Sequence, residues 1–146
     1  MEFIKDYFKN RTLGFWLAFG GAALALVSSV AYLIVYLATA GDAIDRVFSP
    51  LTFAFMLAGS LTALAAERLG FKFGQLVPAA LYAVAVAYHW MQSMYPMADA
   101  ATGVAFLGGN LALALTFGIL FAVATIAHAA SCFMTREVRA AEKQTA

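Results

Sequence analysis

The sequence predicts an all-α integral membrane protein: a left-handed bundle of four transmembrane helices, both termini cytoplasmic, with a short interfacial helix at the N-terminus. Three observations carry this. First, 64% of the 146 residues are hydrophobic and 12% are charged, against about 45–50% and 25% in an ordinary soluble domain. A chain this short cannot bury that much apolar surface in water, which excludes a soluble enzyme, a nucleic-acid binder and a disordered regulator. Second, Asp, Glu, Lys and Arg are missing from Thr12–Gly41, Val47–Ala66, Phe73–Ala98 and Ala100–Thr135. Each interval is long enough to cross a hydrocarbon core, which takes about 20 helical residues. Third, eight of the nine basic residues lie before the first interval, between the second and third, or after the fourth.

Residues 1–12 form the first element. Phe3, Ile4, Tyr7 and Phe8 recur at helical spacing opposite Glu2, Lys5, Asp6 and Lys9, the pattern of an amphipathic helix lying on a membrane surface. The first span is placed at 13–38. The basic residues before it and Ala38-Thr39-Ala40 after it imitate a secretory signal. Its apolar run is about twice the length of a signal core, so an uncleaved anchor is expected. Gly41-Asp42 opens the loop to the second span, 48–66, where Ser49-Pro50 suits a helix start. Glu67 to Lys72 form a tight polar turn with Gly70 available as a C-cap.

The third span is placed at 75–95, with Pro78 in its first turn and Pro96 ending it. The fourth, 103–134, is long for one crossing and should tilt or project past the bilayer. Residues 135–146 are a cytoplasmic tail; Arg136 to Gln144 lack Gly and Pro and should briefly continue the helix.

Lys5, Lys9, Arg11, Arg68, Lys72, Arg136, Arg139 and Lys143 lie on one side, and Arg46 alone on the other. The positive-inside rule therefore places both termini in the cytoplasm. An even number of spans requires the same. Trp16, Trp90, Tyr7, Tyr32, Tyr36 and Tyr95 fall near the expected interfaces.

In lipid, close contact between small residues drives helix association. Gly14, Ala18, Gly21, Ala25 and Ser28 form one seam, Ala54, Ala58, Thr62 and Ala66 a second, and Ala114, Gly118 and Ala122 a third. A repeat near 3.5 residues implies a left-handed supercoil. Such seams serve either a dimerisation face or packing within the chain.

Polar residues inside the spans are the stronger functional clue. Gln75, Tyr82, His89 and Gln92 share one face of the third span; Asn110, Thr125, His128, Ser131 and Thr135 share one face of the fourth. Polar groups at membrane depth face the bundle interior or a wet cavity. They form either a water-lined path or interhelical hydrogen bonds. The two histidines suggest haem, but a rise of 1.5 Å per residue puts them at depths about 13 Å apart, too far for one iron to bind both within one chain.

Other chemistry is missing from the pattern. Cys132 is the only cysteine, which excludes an intrachain disulfide and a thiol oxidoreductase; it reads as a small buried hydrophobe. No carboxylate is expected within a span, which removes the usual ion-coupling group. Asp42, Asp45 and Asp99 are expected in solvated outer loops. No phosphate loop, metal-spaced cluster or serine beside a plausible base is evident. Neither a cofactor nor a metal is expected, and the chain is read as non-enzymatic.

Phe8-Lys9-Asn10-Arg11 running into Gly14-Phe15-Trp16-Leu17, Gly108-Gly109-Asn110 and the Phe133-Met134 exit resemble an uncharacterised family of small four-span membrane proteins of Gram-positive bacteria. The resemblance implies a bacterial inner-membrane setting and no functional residue. The chain lacks the intramembrane glutamate of small multidrug exporters and the paired extracellular cysteines of claudin-like tetraspans.

The expected role is an accessory or scaffolding subunit that packs against itself or another membrane protein, with the lipid bilayer as its other partner. The alternatives are a small oligomeric channel or carrier for an uncharged or weakly basic solute, and a haem- or quinone-binding anchor.

Overall fold

The computed structural model is all-helical and describes residues 11–39, 46–69, 74–106 and 108–134. It contains α1 (Leu13–Ala38), α2 (Pro50–Leu69), α3 (Leu76–Thr102) and α4 (Leu111–Ser131). Each helix packs beside its neighbours in sequence, and α1 closes the ring against α4. Three helices, α1, α2 through Glu67 and α4, are long and apolar enough to cross a membrane. The amphipathic segment at 1–10, the Gly41-Asp42 loop, Gly70 to Lys72 and the tail at 135–146 lie outside the described residues.

Local chemistry explains the helix ends. Pro50 opens α2, and the Ser49 Oγ accepts the Thr52 N–H at 3.3 Å, an N-cap in front of a first-turn proline. Pro78 also sits in a first turn, where its missing N–H has no intrahelical acceptor. Asn110 caps α4, its side chain accepting the Leu113 N–H at 3.1 Å. Two connectors differ from the sequence expectation. Pro96 does not end α3; the helix runs through it to Thr102. Proline removes one backbone hydrogen bond, but Ala98, Ala100 and Ala101 are good helix formers. Gly103, at φ +69°, then caps the helix by donating to the Asp99 carbonyl. The fourth helix begins at Leu111 rather than 103, because Gly108 and Gly109 take φ of +77° and +103°, which helical residues do not adopt. This shortens the apparently overlong fourth span to 21 residues.

Small residues let the helices approach. The whole α1 seam from Gly14 through Ala18, Gly21 and Ala25 to Ser28 is buried. A Cβ at Gly21 would lie 3.0 Å from the Ala124 carbonyl oxygen and 3.1 Å from the His128 nitrogen, so the α1 and α4 backbones nearly touch. On α2 the close contact falls at Gly59, where a Cβ would sit 2.6 Å from the Tyr82 ring. Ala58, Thr62 and Ala66 are only half-buried and Ala54 is exposed. The expected α2 seam is displaced because Thr52 and Ser60, both fully buried, turn the helix by about one residue. Gly118 of α4 makes room for the Trp90 ring, 2.7 Å from its ideal Cβ.

Polar side chains share the interior with the apolar core, while many large apolar side chains are exposed. Ser28, Ser29, Thr52, Ser60, His89 and His128 are buried, whereas Leu13, Val27, Ile34, Leu61, Met91, Ile119 and Ile126 are exposed. Exposed apolar surface on this scale marks contact with something other than water.

Candidate functional site

The interior polar side chains gather into two layers. The first is built on Tyr32, which lies one step beyond Ser28 along the α1 seam and is fully buried. Its hydroxyl donates to the Val47 carbonyl at 2.6 Å and accepts the Ser49 N–H at 2.9 Å. Two backbone groups leading into α2 are therefore satisfied by α1, as buried backbone polar groups require. The ring packs against Phe48, Phe117 and Phe121 at centroid distances of 4.8, 4.9 and 5.3 Å.

His89 completes this layer. Its Nε2 lies 2.9 Å from the Ala114 carbonyl oxygen. A carbonyl can only accept, so Nε2 carries the proton and donates. Nδ1 then faces the Tyr32 hydroxyl at 3.4 Å, whose hydrogen is directed to the nearer Val47 carbonyl. Ser93 lies one turn along α3, its Oγ 3.3 Å from Nε2. Ser93 is the serine on which the expectation that no serine has a plausible base bears. The nitrogen facing Ser93 already bears its proton, so it cannot take one from the hydroxyl, and the pair lacks the activation a nucleophile needs. Thr52 of α2 donates to the Ala85 carbonyl of α3 at 3.2 Å.

The second layer surrounds Tyr82. Its hydroxyl donates to the Ser60 Oγ at 3.2 Å, and Ser60 donates to the Met56 carbonyl at 2.9 Å. The His128 ring meets Tyr82 edge-on at 5.2 Å, and its Nδ1 lies 3.4 Å from the Ala18 carbonyl oxygen. Gln75 stands just before α3 and donates from Nε2 to the Ala63 carbonyl at 3.1 Å and to the Glu67 carboxylate at 2.9 Å. The Cys132 Sγ lies 3.5 Å from the Gln75 carbonyl oxygen. Tyr82 and His89 are seven residues, or about 10 Å, apart on α3. With His128 at the level of Tyr82, the two imidazoles belong to different layers.

Of the residues singled out from sequence, Gln75, Tyr82, His89 and His128 are buried together in the interior. Gln92 is half-buried. Thr125 is half-buried and donates to the Phe121 carbonyl of its own helix at 2.7 Å. Asn110 is exposed and serves as a cap. Tyr32, expected at an interface, is the centre of the first layer. The signal was present: the four-three repeat of the α1 seam continues from Ser28 to Tyr32. Thr52, Ser60 and Ser93 were also missed; each is a small hydroxyl that barely marks a largely apolar stretch. Glu67 and Asp99, expected in loops, lie in the last turns of α2 and α3. Asp99 accepts the Gly108 N–H at 2.7 Å, fixing the loop that turns into α4.

Among the described residues, no three His, Cys, Asp or Glu side chains come together as a metal site. Comparison with known protein families, curated proteins and solved structures finds no match.

Proposed function

We propose that the chain is a non-enzymatic, four-span membrane protein that acts as an accessory or scaffolding subunit, packed against a second copy or another membrane protein. The observation that carries this reading is the use made of the interior polar groups. Tyr32, Thr52, Tyr82, Gln75 and His89 each bond from one helix to another helix or to the segment leading into it. These hydrogen bonds go into helix pairing, a use that contributes about 0.6–2 kcal/mol per contact in lipid. A solute path would need the same groups turned toward open space, and His89 is instead enclosed by Tyr32, Trp90 and Phe121.

The reading of α3 as a membrane span beside the other three rests on which way its polar residues point. Tyr82, His89 and Ser93 face inward, while Leu76, Val77, Val84, Met91 and Met94 are exposed. The polar interior lowers the helix's average hydropathy without putting polar groups against lipid. The left-handed supercoil, the cytoplasmic placement of both termini and a bacterial inner membrane belong to the same proposal. They are supported by the seam spacing, by eight basic residues against one and by the family resemblance respectively.

The test is crosslinking in native membranes, followed by purification in mild detergent and mass measurement. A discrete homo-oligomer or a stoichiometric partner is expected. A strictly monomeric band with no co-purifying protein would overturn the scaffold reading. Purified protein showing a Soret band would favour the haem-binding anchor instead.

A further inference from the structure

A crevice opens between α1 and α2, lined by Ala18 and Ala22 on one side, Ala63 on the other, and Glu67 and Gln75. We propose that it is a binding site for one primary ammonium group, carried by an aminophospholipid headgroup or by a free amine.

Hydrogen-bond arithmetic comes first. Gln75 is only 6% exposed. Both of its amide hydrogens have acceptors, the Ala63 carbonyl and the Glu67 carboxylate. Those acceptors also fix the amide's orientation, because turning it over would set its oxygen against two other oxygens. The Oε1 is buried and has no hydrogen-bond partner among the described residues. A buried amide oxygen left this way is costly. The crevice is thus lined by a carboxylate and by a glutamine whose buried amide oxygen has no hydrogen-bond partner among the described residues, and a donor entering there would satisfy it.

Size and charge narrow the ligand. The crevice has room for about one water-sized group. A primary ammonium fits that volume and brings three donors, whereas a trimethylammonium is too large and has no N–H. The carboxylate favours a cation over water, since charge-assisted bonds are about twice as strong as neutral ones. Small side chains make the space: Ala18, Ala22 and Ala63 are all buried, and any larger residue would fill it. Position fits as well. Glu67 is two residues from the end of α2 and Gln75 immediately precedes α3. In the four-span reading, on which this proposal rests, that level is the depth of lipid headgroups.

The experiment uses the full chain in nanodiscs of phosphatidylethanolamine and phosphatidylcholine, mixed equally and with identical acyl chains. Native mass spectrometry then reads which lipid is retained. A preference of about tenfold for the ethanolamine lipid is expected, the equivalent of one charge-assisted hydrogen bond. It should vanish in Gln75→Leu. Glu67→Gln keeps an acceptor for the Gln75 amide and removes only the charge, so it should lower the preference while leaving the helical circular dichroism unchanged. In the second arm, ethylammonium chloride should raise the melting temperature more than tetramethylammonium chloride does. A response to ethylammonium without a lipid preference supports the site and identifies a free amine as its ligand. Equal retention of both lipids and equal melting in both salts overturns the proposal and leaves a water in the crevice. Alkaline carbonate extraction reports the membrane reading separately, so protein that stays in the pellet without lipid preference loses this site alone.

Discussion

Gly59→Ala is the sharpest test of how α2 meets α3. The added methyl would lie 2.6 and 2.8 Å from the Cε1 and Cδ1 of Tyr82, well inside the contact distance of about 3.5–4.0 Å between carbon atoms. Tyr82 cannot swing aside without cost. It is fully buried, its hydroxyl is bonded to Ser60, and its far side meets His128. The helices must separate or the ring must leave its rotamer, and overpacking of this kind costs about 1–3 kcal/mol. Losing the Tyr82–Ser60 bond adds about 0.6 kcal/mol, the average for a polar pair in lipid. Gly20→Ala is the matched control: nothing lies within 4 Å of its ideal Cβ, so it should be neutral or gain up to about 1 kcal/mol of helix propensity. The assay is unfolding in mixed micelles by titration with a denaturing detergent, read by circular dichroism. The double variant Gly59→Ala, Tyr82→Leu should recover part of the loss and give a coupling energy between neighbours. If Gly59→Ala unfolds within about 0.5 kcal/mol of Gly20→Ala, the helices are not in the proposed register and the reasoning fails.

Three further outcomes follow from the same contacts. Tyr32→Phe keeps the ring packing but leaves the Val47 carbonyl and the Ser49 N–H without their partner; each buried group left unsatisfied costs about 1–3 kcal/mol, measurable in the same titration. Asn110→Ala removes the α4 cap and should cost about 1 kcal/mol, while Asn110→Asp should retain nearly all of it. For topology, single cysteines replacing Ala43, Gly70 and Ala141 in a Cys132→Ser background are probed on intact cells with a membrane-impermeant thiol reagent. Labelling at 43 alone is expected; labelling at 70 or 141 without permeabilisation would reverse the orientation.

The fold was legible wherever one physical rule acted alone. The first span and α1 coincide at Leu13–Ala38, because an unbroken apolar run ends only where polar residues resume. Ser49-Pro50 was readable as a helix start, since capping depends on local chemistry, whereas the start of α4 behind Gly108-Gly109-Asn110 was placed too early, at 103. Errors arose where two rules competed. Pro96 is a helix breaker in water, yet the alanines after it and the Gly103 cap carry α3 onward. The α2 seam was displaced because small residues occupy more than one face of that helix. Which face turns inward is decided by the hydroxyls of Thr52 and Ser60, which have most to lose in lipid.

The same competition explains which parts of the interior could be read in advance. His89, His128, Tyr82 and Gln75 stand out because polar residues in or beside apolar helices tend to face the interior, and these four do, whereas Gln92 and Thr125 are half-buried and Asn110 is exposed. The partners of the four could not be found this way, because most are backbone carbonyls: those of Ala63, Ala114 and Ala18 lie opposite Gln75, His89 and His128. A carbonyl carries no mark in the sequence, and its availability depends on which helix lies opposite. Tyr32 shows the converse. It was assigned to an interface because aromatic rings with a polar tip settle there. In the fold its tip is satisfied by the chain leading into α2, and that bond lets the ring move from the surface into the core. The polar residues of this protein therefore gain their meaning from pairing rather than from position. That is also why Gln75 stands apart: its amide hydrogens are paired across the helix junction, while its buried oxygen has no hydrogen-bond partner among the described residues.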